Sequence, residues 1–164
     1  MAYLEYCSNC GEKNIFGLIE GQNRFHCEAC KKIHYENPKP TATLICIYEN
    51  KLLLVKRAFE PAKGQWGLPG GFIELGETPN DGAIRELKEE TNLNGKANRL
   101  FGHCSHHNTV FGDVLLLGIE MQIVDWSGMK AGDDASEVEL FDLNNLPKLA
   151  FTCHEQIIEM FKEN

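Results

Sequence analysis

Two pairs of cysteines near the N-terminus constrain the fold of this chain most strongly. Cys7 and Cys10 form one CxxC motif, and Cys27 and Cys30 form a second one. Each motif can turn as a tight knuckle that presents two thiolates to one ion, and four thiolates complete a tetrahedral zinc site. A segment of about 30 residues cannot bury an adequate core by itself. We therefore predict a zinc ribbon over residues 1–36 whose folding depends on bound Zn²⁺.

The residues around the cysteines bear on two alternative functions. A redox role for either CxxC pair is the minor alternative, because no βαβ pattern surrounds the motifs. A short hairpin is predicted between the pairs, with its turn at residues 20–23. A small basic and aromatic cluster follows, formed by Lys31, Lys32, His34 and Tyr35. Since the net charge of the chain is −8, we expect a solvated edge here and no nucleic-acid partner.

The bulk properties are those of an ordinary globular chain. Of the 164 residues, 43% are apolar, and no apolar run approaches the roughly 20 residues that a membrane span needs. The first ten residues lack the basic and apolar regions of a secretory signal. We therefore expect a cytoplasmic protein with no membrane partner. In that setting Cys46, Cys104 and Cys153 are expected to be buried small hydrophobes.

The second predicted domain covers residues 37–164 and begins with a stiff Asn-Pro-Lys-Pro linker. Two β-rich runs are joined at Glu49 and Asn50, which is a hairpin signal. Periodicity predicts further strands at about 97–105, 113–124 and 138–143. It also predicts two helices, at about 79–92 and 152–162. Mixed strands with two or three helices predict an α/β sandwich with a mixed sheet.

The first of these helices belongs to an unusually acidic stretch. Residues 71–93 carry six acids, opposed only by Arg85 and Lys88; the acids are Glu74, Glu77, Asp81, Glu86, Glu89 and Glu90. Because each helical residue advances about 100°, three of the glutamates converge on one side of the helix. A separate apolar side, expected to pack on the sheet, carries Ala83, Ile84, Leu87 and Thr91. Thr78 is a plausible N-cap, followed by Pro79 at the first helical position.

An ordinary solvated helix face is the alternative interpretation of these charges. Two features favour a binding site instead. Gly70 and Gly71 let the backbone come close to a ligand, and Glu77 lies at the entrance of the helix near the other glutamates. Oxygen ligands of this kind suit a hard divalent cation, Mg²⁺ or Mn²⁺.

The same stretch resembles a known family signature. It resembles the Nudix box, GX5EX7REUXEEXGU, and matches it at every defined position except Asn92, where the family has Gly. The matching residues are Gly71, Glu77, Arg85-Glu86-Leu87, Glu89-Glu90 and Leu93. That position ends the helix in a left-handed turn, which Asn tolerates. The ribbon, the linker and this box together resemble the zinc-ribbon branch of the Nudix hydrolases, which includes NADH, FAD and ADP-ribose pyrophosphatases.

The resemblance implies a Nudix α/β/α sandwich and a hydrolase that cleaves a nucleoside diphosphate linked to another group, by water attack at phosphorus. It implies Glu86 and Glu90 as principal Mg²⁺ or Mn²⁺ ligands, assisted by Glu89 and by the carbonyl of Gly70. Arg85 would orient the glutamates, and Glu77 would support the site. The substrate is then a small nucleotide, and the family resemblance is also compatible with a homodimer.

Other roles are less defined by the sequence. The resemblance favours Glu137 as general base, with Glu139 and Glu120 as competitors. The histidines at 103, 106 and 107 either line or flank the substrate groove or are simply exposed. Trp66 and Phe141 could stack on a base or pack in the core.

The substrate is left open within a small group. The segment Gly102–Asn108 does not resemble the SQPWPFP-type motif of NADH pyrophosphatases, so ADP-ribose, FAD and NAD(H) all remain. Two alternatives to this hydrolase are a non-catalytic nucleotide sensor and a hydrolase acting on nucleotide-capped RNA ends. No glutamate of the box is missing, which disfavours the sensor.

Overall fold

A computed structural model of the chain describes residues 4–163. It separates into two compact units, one ending at Asn37 and one beginning at Pro38. Residues 1–3 and 164, which the sequence assigns to the ends of the two predicted domains, lie outside the described residues. Each unit is described below by itself.

The first unit is a three-stranded antiparallel sheet beside two cysteine turns. Its strands are β1 (Ile15–Ile19), β2 (Gln22–His26) and β3 (Ile33–His34), in the order β1-β2-β3. The β1–β2 turn places Glu20 at φ 50° and Gly21 at φ 79°, the two positive values that a tight hairpin turn requires. In each cysteine turn the first thiol-bearing residue donates its N–H to a carbonyl five residues on, Cys7 to Glu12 at 2.7 Å and Cys27 to Lys32 at 2.8 Å.

The second unit is built on a mixed sheet. Its strands are β4 (Lys39–Tyr48), β5 (Lys51–Arg57), β6 (Trp66–Gly67), β7 (Gly70–Phe72), β8 (Gly95–Thr109), β9 (Gly112–Ile123) and β10 (Ala135–Asp142). The sheet order is β10-β5-β4-β9-β8, with β6 on β5 and β7 on β4. β4 and β9 run parallel, and the other pairs are antiparallel. The mixed sheet predicted from the sequence is confirmed.

Two helices, α1 (Pro79–Thr91) and α2 (Thr152–Glu163), cover opposite faces of this sheet. Side chains alternate along β4, so Leu44 packs in one buried cluster with Leu87 of α1, and Ile45 packs in another with Ile157 of α2. The predicted α/β/α sandwich is therefore confirmed. Neither helix in the described part of the chain is long and apolar enough to cross a membrane.

Two expectations about packing had different outcomes. Cys46, Cys104 and Cys153 are buried in the two clusters, as predicted. The prediction that Ile84 packs on the sheet was wrong, because its side chain is 41% exposed. The buried side of α1 carries Gly82, Ala83, Leu87 and Thr91, and Ile84 lies about 100° around the helix from Ala83, beyond the contact with the sheet.

Candidate active site

The helix α1 begins and ends as its sequence predicts. Thr78 is the N-cap: its hydroxyl accepts from the N–H of Asp81 at 3.2 Å, and the Asp81 carboxylate accepts from the N–H of Thr78 at 3.0 Å. This reciprocal capping box fixes the entrance of the helix. At the other end Asn92 is left-handed, with φ 57°, so the one departure from the Nudix box is accommodated by the conformation that the position requires.

Arg85 holds the carboxylates of this helix together. Its guanidinium donates twice to Glu77, at 2.7 and 2.9 Å. The same side chain donates to Glu86 at 2.7 Å and to Glu89 at 3.0 Å. The bonds from Arg85, and then the N–H of Glu74, lower the pKa of Glu77 to about 2. Glu77 is therefore ionised at any ordinary pH, and one arginine orders three glutamates.

Glu86 and Glu90 are less solvated than Glu77. Burial raises the pKa of Glu86 against the opposing effect of Arg85. Burial is also the main cause that raises the pKa of Glu90 to about 8, with repulsion from Glu86 adding to it and the N–H of Gly70 opposing it. That N–H donates to Glu90 Oε2 at 2.8 Å. A cation bound beside these two side chains would favour their charged forms, so this donor set fits a divalent metal ion.

The two glycines allow the backbone to reach these carboxylates. Gly70 has φ 135°, and a Cβ there would lie 2.0 Å from the carbonyl oxygen of Ala42. A Cβ on Gly71 would lie 2.5 Å from Oε1 of Glu86. Gly70 therefore needs glycine because backbone lies against it, whereas the neighbour of Gly71 is the end of a flexible side chain that can move.

The glutamates do not gather tightly in this structure. Among the described residues, the only group of three or more potential metal-ligand atoms within 4.8 Å of one another is formed by the four cysteines. Glu86 and Glu89 instead hold Arg85, and Glu90 holds the N–H of Gly70. The helix thus brings these carboxylates to one side of the site, each with a protein donor.

The carboxylate cluster of α1 is formed by Glu77, Glu86, Glu89 and Glu90 together with the nearby Gly70 and Gly71. A cavity of about 350 Å³ adjoins this cluster and shares Gly70, Gly71 and Glu90 with it. Its walls include Phe72, Phe111 and Phe151 together with nine polar residues; the polar residues are Thr41, Thr43, Arg57, Glu90, His106, Asn108, Thr109, Asp134 and His154. An apolar cavity with a few polar groups beside a carboxylate cluster has the character of a small-molecule site.

Three of the cavity residues have no signal in the sequence. Arg57 ends β5, Asp134 precedes β10 and His154 lies in α2, so they come together only through the tertiary fold. The Nε of Arg57 donates to the carbonyl of Pro61 at 2.6 Å, and its guanidinium lies 5.3 Å from the centroid of the Phe151 ring. No sequence motif connects these three residues, because only the order of the strands in the sheet brings them together.

The residues with open roles lie in different places. His106 lines the cavity, His107 pairs with Asp113 at 2.9 Å and His103 is exposed. The rings of Trp66 and Phe141 contact each other edge-on at 4.8 Å beside the core cluster of α2. For these two side chains the packing interpretation is the one that the structure supports.

The carboxylates considered as general base lie outside the cavity. Glu137 is exposed and pairs with Lys56 at 3.0 Å across β5 and β10. Glu120 is held by Arg99 at 2.8 Å, and Glu139 is exposed. A bulge between Ala135 and Glu137 changes the register of β10, and a bulge of this kind re-aims the side chains that follow it.

The four cysteines of the first unit form a compact thiol cluster. The Sγ atoms of Cys7 and Cys30 are 3.6 Å apart, and those of Cys10 and Cys27 are 3.5 Å apart. Four thiolates around one Zn²⁺ would have Sγ atoms about 3.8 Å apart, given Zn–S bonds of about 2.3 Å. The cluster therefore fits a tetrahedral zinc site, with Cys7 and Cys27 buried and Cys10 exposed.

Comparisons with known proteins agree with this geometry. Residues 38–161 match the family model described as the NUDIX domain, and residues 5–36 match the zinc-ribbon model described as Nudix N-terminal. The chain is 42% identical over 148 residues to a protein from Methanocaldococcus jannaschii named ADP-ribose pyrophosphatase, covering 89% of this chain and 86% of the relative.

Further similarities involve capped-RNA hydrolases and solved Nudix structures. A protein from Vibrio atlanticus named NAD-capped RNA hydrolase NudC is 29% identical over 95% of this chain, which spans only 56% of that relative. A NUDIX hydrolase structure from Nitrosomonas europaea superimposes with a TM-score of 0.83 at 32% identity, covering 98% of this chain and 92% of that one. The NUDIX domain of Shewanella oneidensis NrtR, solved with ADP-ribose, has a TM-score of 0.64 at 26% identity, with coverages of 79% and 89%. The chain therefore belongs to the Nudix hydrolase family and carries that family's N-terminal zinc-ribbon segment.

Proposed function

We propose that this Nudix hydrolase cleaves the pyrophosphate bond of ADP-ribose, or of a closely similar dinucleotide such as FAD or NAD(H), with the help of Mg²⁺ or Mn²⁺. The observation that carries the proposal is the shared wall: the cavity and the carboxylate cluster have Gly70, Gly71 and Glu90 in common. A substrate in the cavity would therefore place its adjoining diphosphate beside the carboxylates. The relative named ADP-ribose pyrophosphatase supports ADP-ribose as the first choice.

The residues proposed to hold the divalent cations are Glu86, Glu90, Glu89 and the carbonyl of Gly70. When bound, such ions neutralise charge on the diphosphate and lower the pKa of a coordinated water. Arg85 would keep Glu86 and Glu89 oriented through the bonds it already makes. Glu77 would hold Arg85 in turn through its bidentate contact. The protein's part is thus to present fixed, charged oxygens to the cations.

The cavity is proposed to receive the aromatic and ribose part of the substrate. The rings of Phe72, Phe111 and Phe151 offer apolar walls for a planar base. Thr41 also lines the cavity, and its hydroxyl is buried without a hydrogen-bond partner among the described residues. A buried polar atom of this kind suits a hydroxyl or ring nitrogen of a ligand. Arg57 adds a positive charge beside the anionic substrate.

The general base is proposed to come from the start of β10 or the residue just before it. Glu137 remains the choice based on the family pattern, and Asp134 competes with it because it is one of the residues lining the cavity and its charge acts on Glu90. The variants Glu137→Gln and Asp134→Asn separate the two. Loss of the base should remove the rise of kcat with pH, whereas the other variant should keep that profile.

The decisive experiment is a substrate panel. ADP-ribose, FAD, NADH and an NAD-capped RNA are each incubated with the protein and Mg²⁺ or Mn²⁺, and nucleoside monophosphate release is measured with and without a chelator. We expect metal-dependent turnover with the highest kcat/KM for ADP-ribose. Preference for the capped RNA would favour the function named for the NudC relatives. Binding of nucleotides with no turnover of any panel member would support a sensor.

Zinc is proposed as the structural ion of the first unit, held by Cys7, Cys10, Cys27 and Cys30. The spacing of their Sγ atoms supports this assignment. The ion would supply folding free energy that the small sheet of this unit lacks.

A further inference from the structure

The segment between β6 and β7 is bonded to both helices of the second unit. On the α2 side, the N–H of Leu68 donates to Nδ1 of His154 at 2.9 Å. Just before that helix, the N–H of Ala150 donates to the carbonyl of Trp66 at 2.7 Å. On the α1 side, the N–H of Gly70 donates to Glu90 at 2.8 Å. The segment therefore connects the two helices that lie on opposite faces of the sheet.

His154 is held in the orientation that this bond needs. Gly67 allows the ring to approach, since a Cβ there would lie 3.1 Å from Nδ1 and 3.2 Å from Cε1. The ring of Phe151 packs edge-on at 5.4 Å. Because Nδ1 accepts a hydrogen bond, the proton of the neutral ring is on Nε2. Burial, with repulsion from Arg57 and His106, lowers the pKa of His154 to about 4, so the ring is neutral near pH 7.

The bond from Leu68 lies two residues before Gly70. Between them, the carbonyl of Pro69 accepts from the N–H of Leu44 at 2.8 Å. Three successive residues, Leu68, Pro69 and Gly70, are thus fixed by α2, β4 and α1 in turn. Of these three bonds, two have a side chain as partner, Glu90 and His154. Glu90 is already proposed as a ligand of the metal ion, whereas His154 has so far been placed only in the wall of the cavity.

We propose that His154 is a positioning residue for the metal site: by accepting from the N–H of Leu68, it fixes the segment that presents Gly70 to Glu90 and to the divalent cation. This inference rests on the proposed function. It assigns a role in metal binding to a side chain of α2, on the opposite face of the sheet from the glutamates. Without this hydrogen bond Leu68 can move, and the position of Gly70 relative to Glu90 is less well fixed.

Two substitutions of the same residue separate this role from packing. His154→Asn places an amide oxygen near the position of Nδ1 and can keep the bond. His154→Gln carries its amide farther out, near the position of Nε2, and loses it. His103→Gln makes the same chemical change at an exposed histidine and serves as the control. Urea unfolding confirms that each variant is folded before it is compared.

The readouts are Mn²⁺ affinity, measured by electron paramagnetic resonance without substrate, and amide exchange at Leu68 and Gly70. For His154→Gln we expect Mn²⁺ affinity to fall on the order of tenfold, as for loss of a group that orients a metal ligand. Exchange at both amides should become faster. With ADP-ribose, kcat should fall with little change in KM. His154→Asn should recover most of these losses, and His103→Gln should match the parent.

Two results would overturn the positioning role. One is a folded His154→Gln variant with the Mn²⁺ affinity and amide exchange of the parent. The other is equal impairment by Asn and Gln, which would indicate packing alone. A parent protein that binds no Mn²⁺ would instead count against the proposed function, and the role of His154 would fall with it. A parent that binds Mn²⁺ but cleaves no dinucleotide would refute only the activity, since the affinity and exchange measurements still decide the inference.

Discussion

Gly70→Ala tests most sharply how the site is built, because its cost can be worked out from the structure. The φ of 135° is one that residues with a side chain rarely adopt, and the new Cβ would lie 2.0 Å from the carbonyl oxygen of Ala42. The backbone strain alone costs about 1–3 kcal/mol. Relief of the clash must move the segment away from β4, which breaks the bonds of Gly70 to Glu90 and of Leu44 to Pro69, at about 1 kcal/mol each.

We therefore expect Gly70→Ala to lower the free energy of unfolding by about 4 kcal/mol, the sum of these contributions. The measurement is urea unfolding followed by fluorescence and circular dichroism. Gly76→Ala is the matched control, since Gly76 also has a positive φ, 88°, but a Cβ there meets nothing within 4 Å. It should cost only about 1 kcal/mol of strain. If the two variants lose the same stability, the close approach of Gly70 to β4 is not what requires glycine.

Three further predictions concern the helix cap, pH and zinc. Thr78→Ala removes the hydroxyl of the capping box and should cost about 1 kcal/mol in urea unfolding, whereas Thr78→Ser keeps a hydroxyl and should leave the stability close to that of the parent; equal losses would contradict the capping role. The pKa of His154 is about 4 in the folded chain against 6.5 for an ordinary histidine, so the unfolded chain takes up the proton first and stability falls as pH decreases from about 6.5 toward 4. Between pH 6.5 and pH 5 this group should account for about 1–2 kcal/mol of lost stability, and His154→Asn should lose correspondingly less over the same interval; an identical pH dependence in both proteins would refute the assignment. Zinc analysis should find one ion per chain, and Cys10→Ser should reduce that content and speed amide exchange in residues 4–37 while leaving residues 38–163 protected; a protected first unit with no zinc would rule out the structural ion.

Local sequence patterns predicted the elements that depend on local interactions. Thr78, Pro79 and Asp81 set the start of α1, and Asn92 its end, through contacts within a few residues. The four cysteines predicted their own cluster because each CxxC motif closes a turn by itself. The two strands flanking Glu49 and Asn50 followed from a hairpin signal. The helix ends and the turns depend on contacts within a few residues, whereas the cysteine cluster also needs the β1–β2 hairpin that lies between its two motifs.

The rest of the site could not be read from spacing. Arg57, Asp134 and His154 line one cavity although almost a hundred residues separate the first from the last, and only the order of strands in the sheet brings them together. The surroundings of Glu137 depend on a β-bulge in β10, and no sequence pattern predicted that bulge. Ile84 was misplaced because the width of the buried side of α1 is set by the sheet beneath it.

The central claim is that the carboxylates of α1 hold divalent cations for hydrolysis, and Glu90→Gln tests it most directly. The amide oxygen of Gln can still accept from the N–H of Gly70, and the substitution replaces a carboxyl group whose charged form is unfavourable when buried. The free energy of unfolding without metal should therefore stay the same or rise. Turnover of ADP-ribose with saturating Mg²⁺ should fall on the order of 10³-fold, together with Mn²⁺ affinity. A variant that is as stable as the parent and hydrolyses ADP-ribose at the same rate would contradict the account.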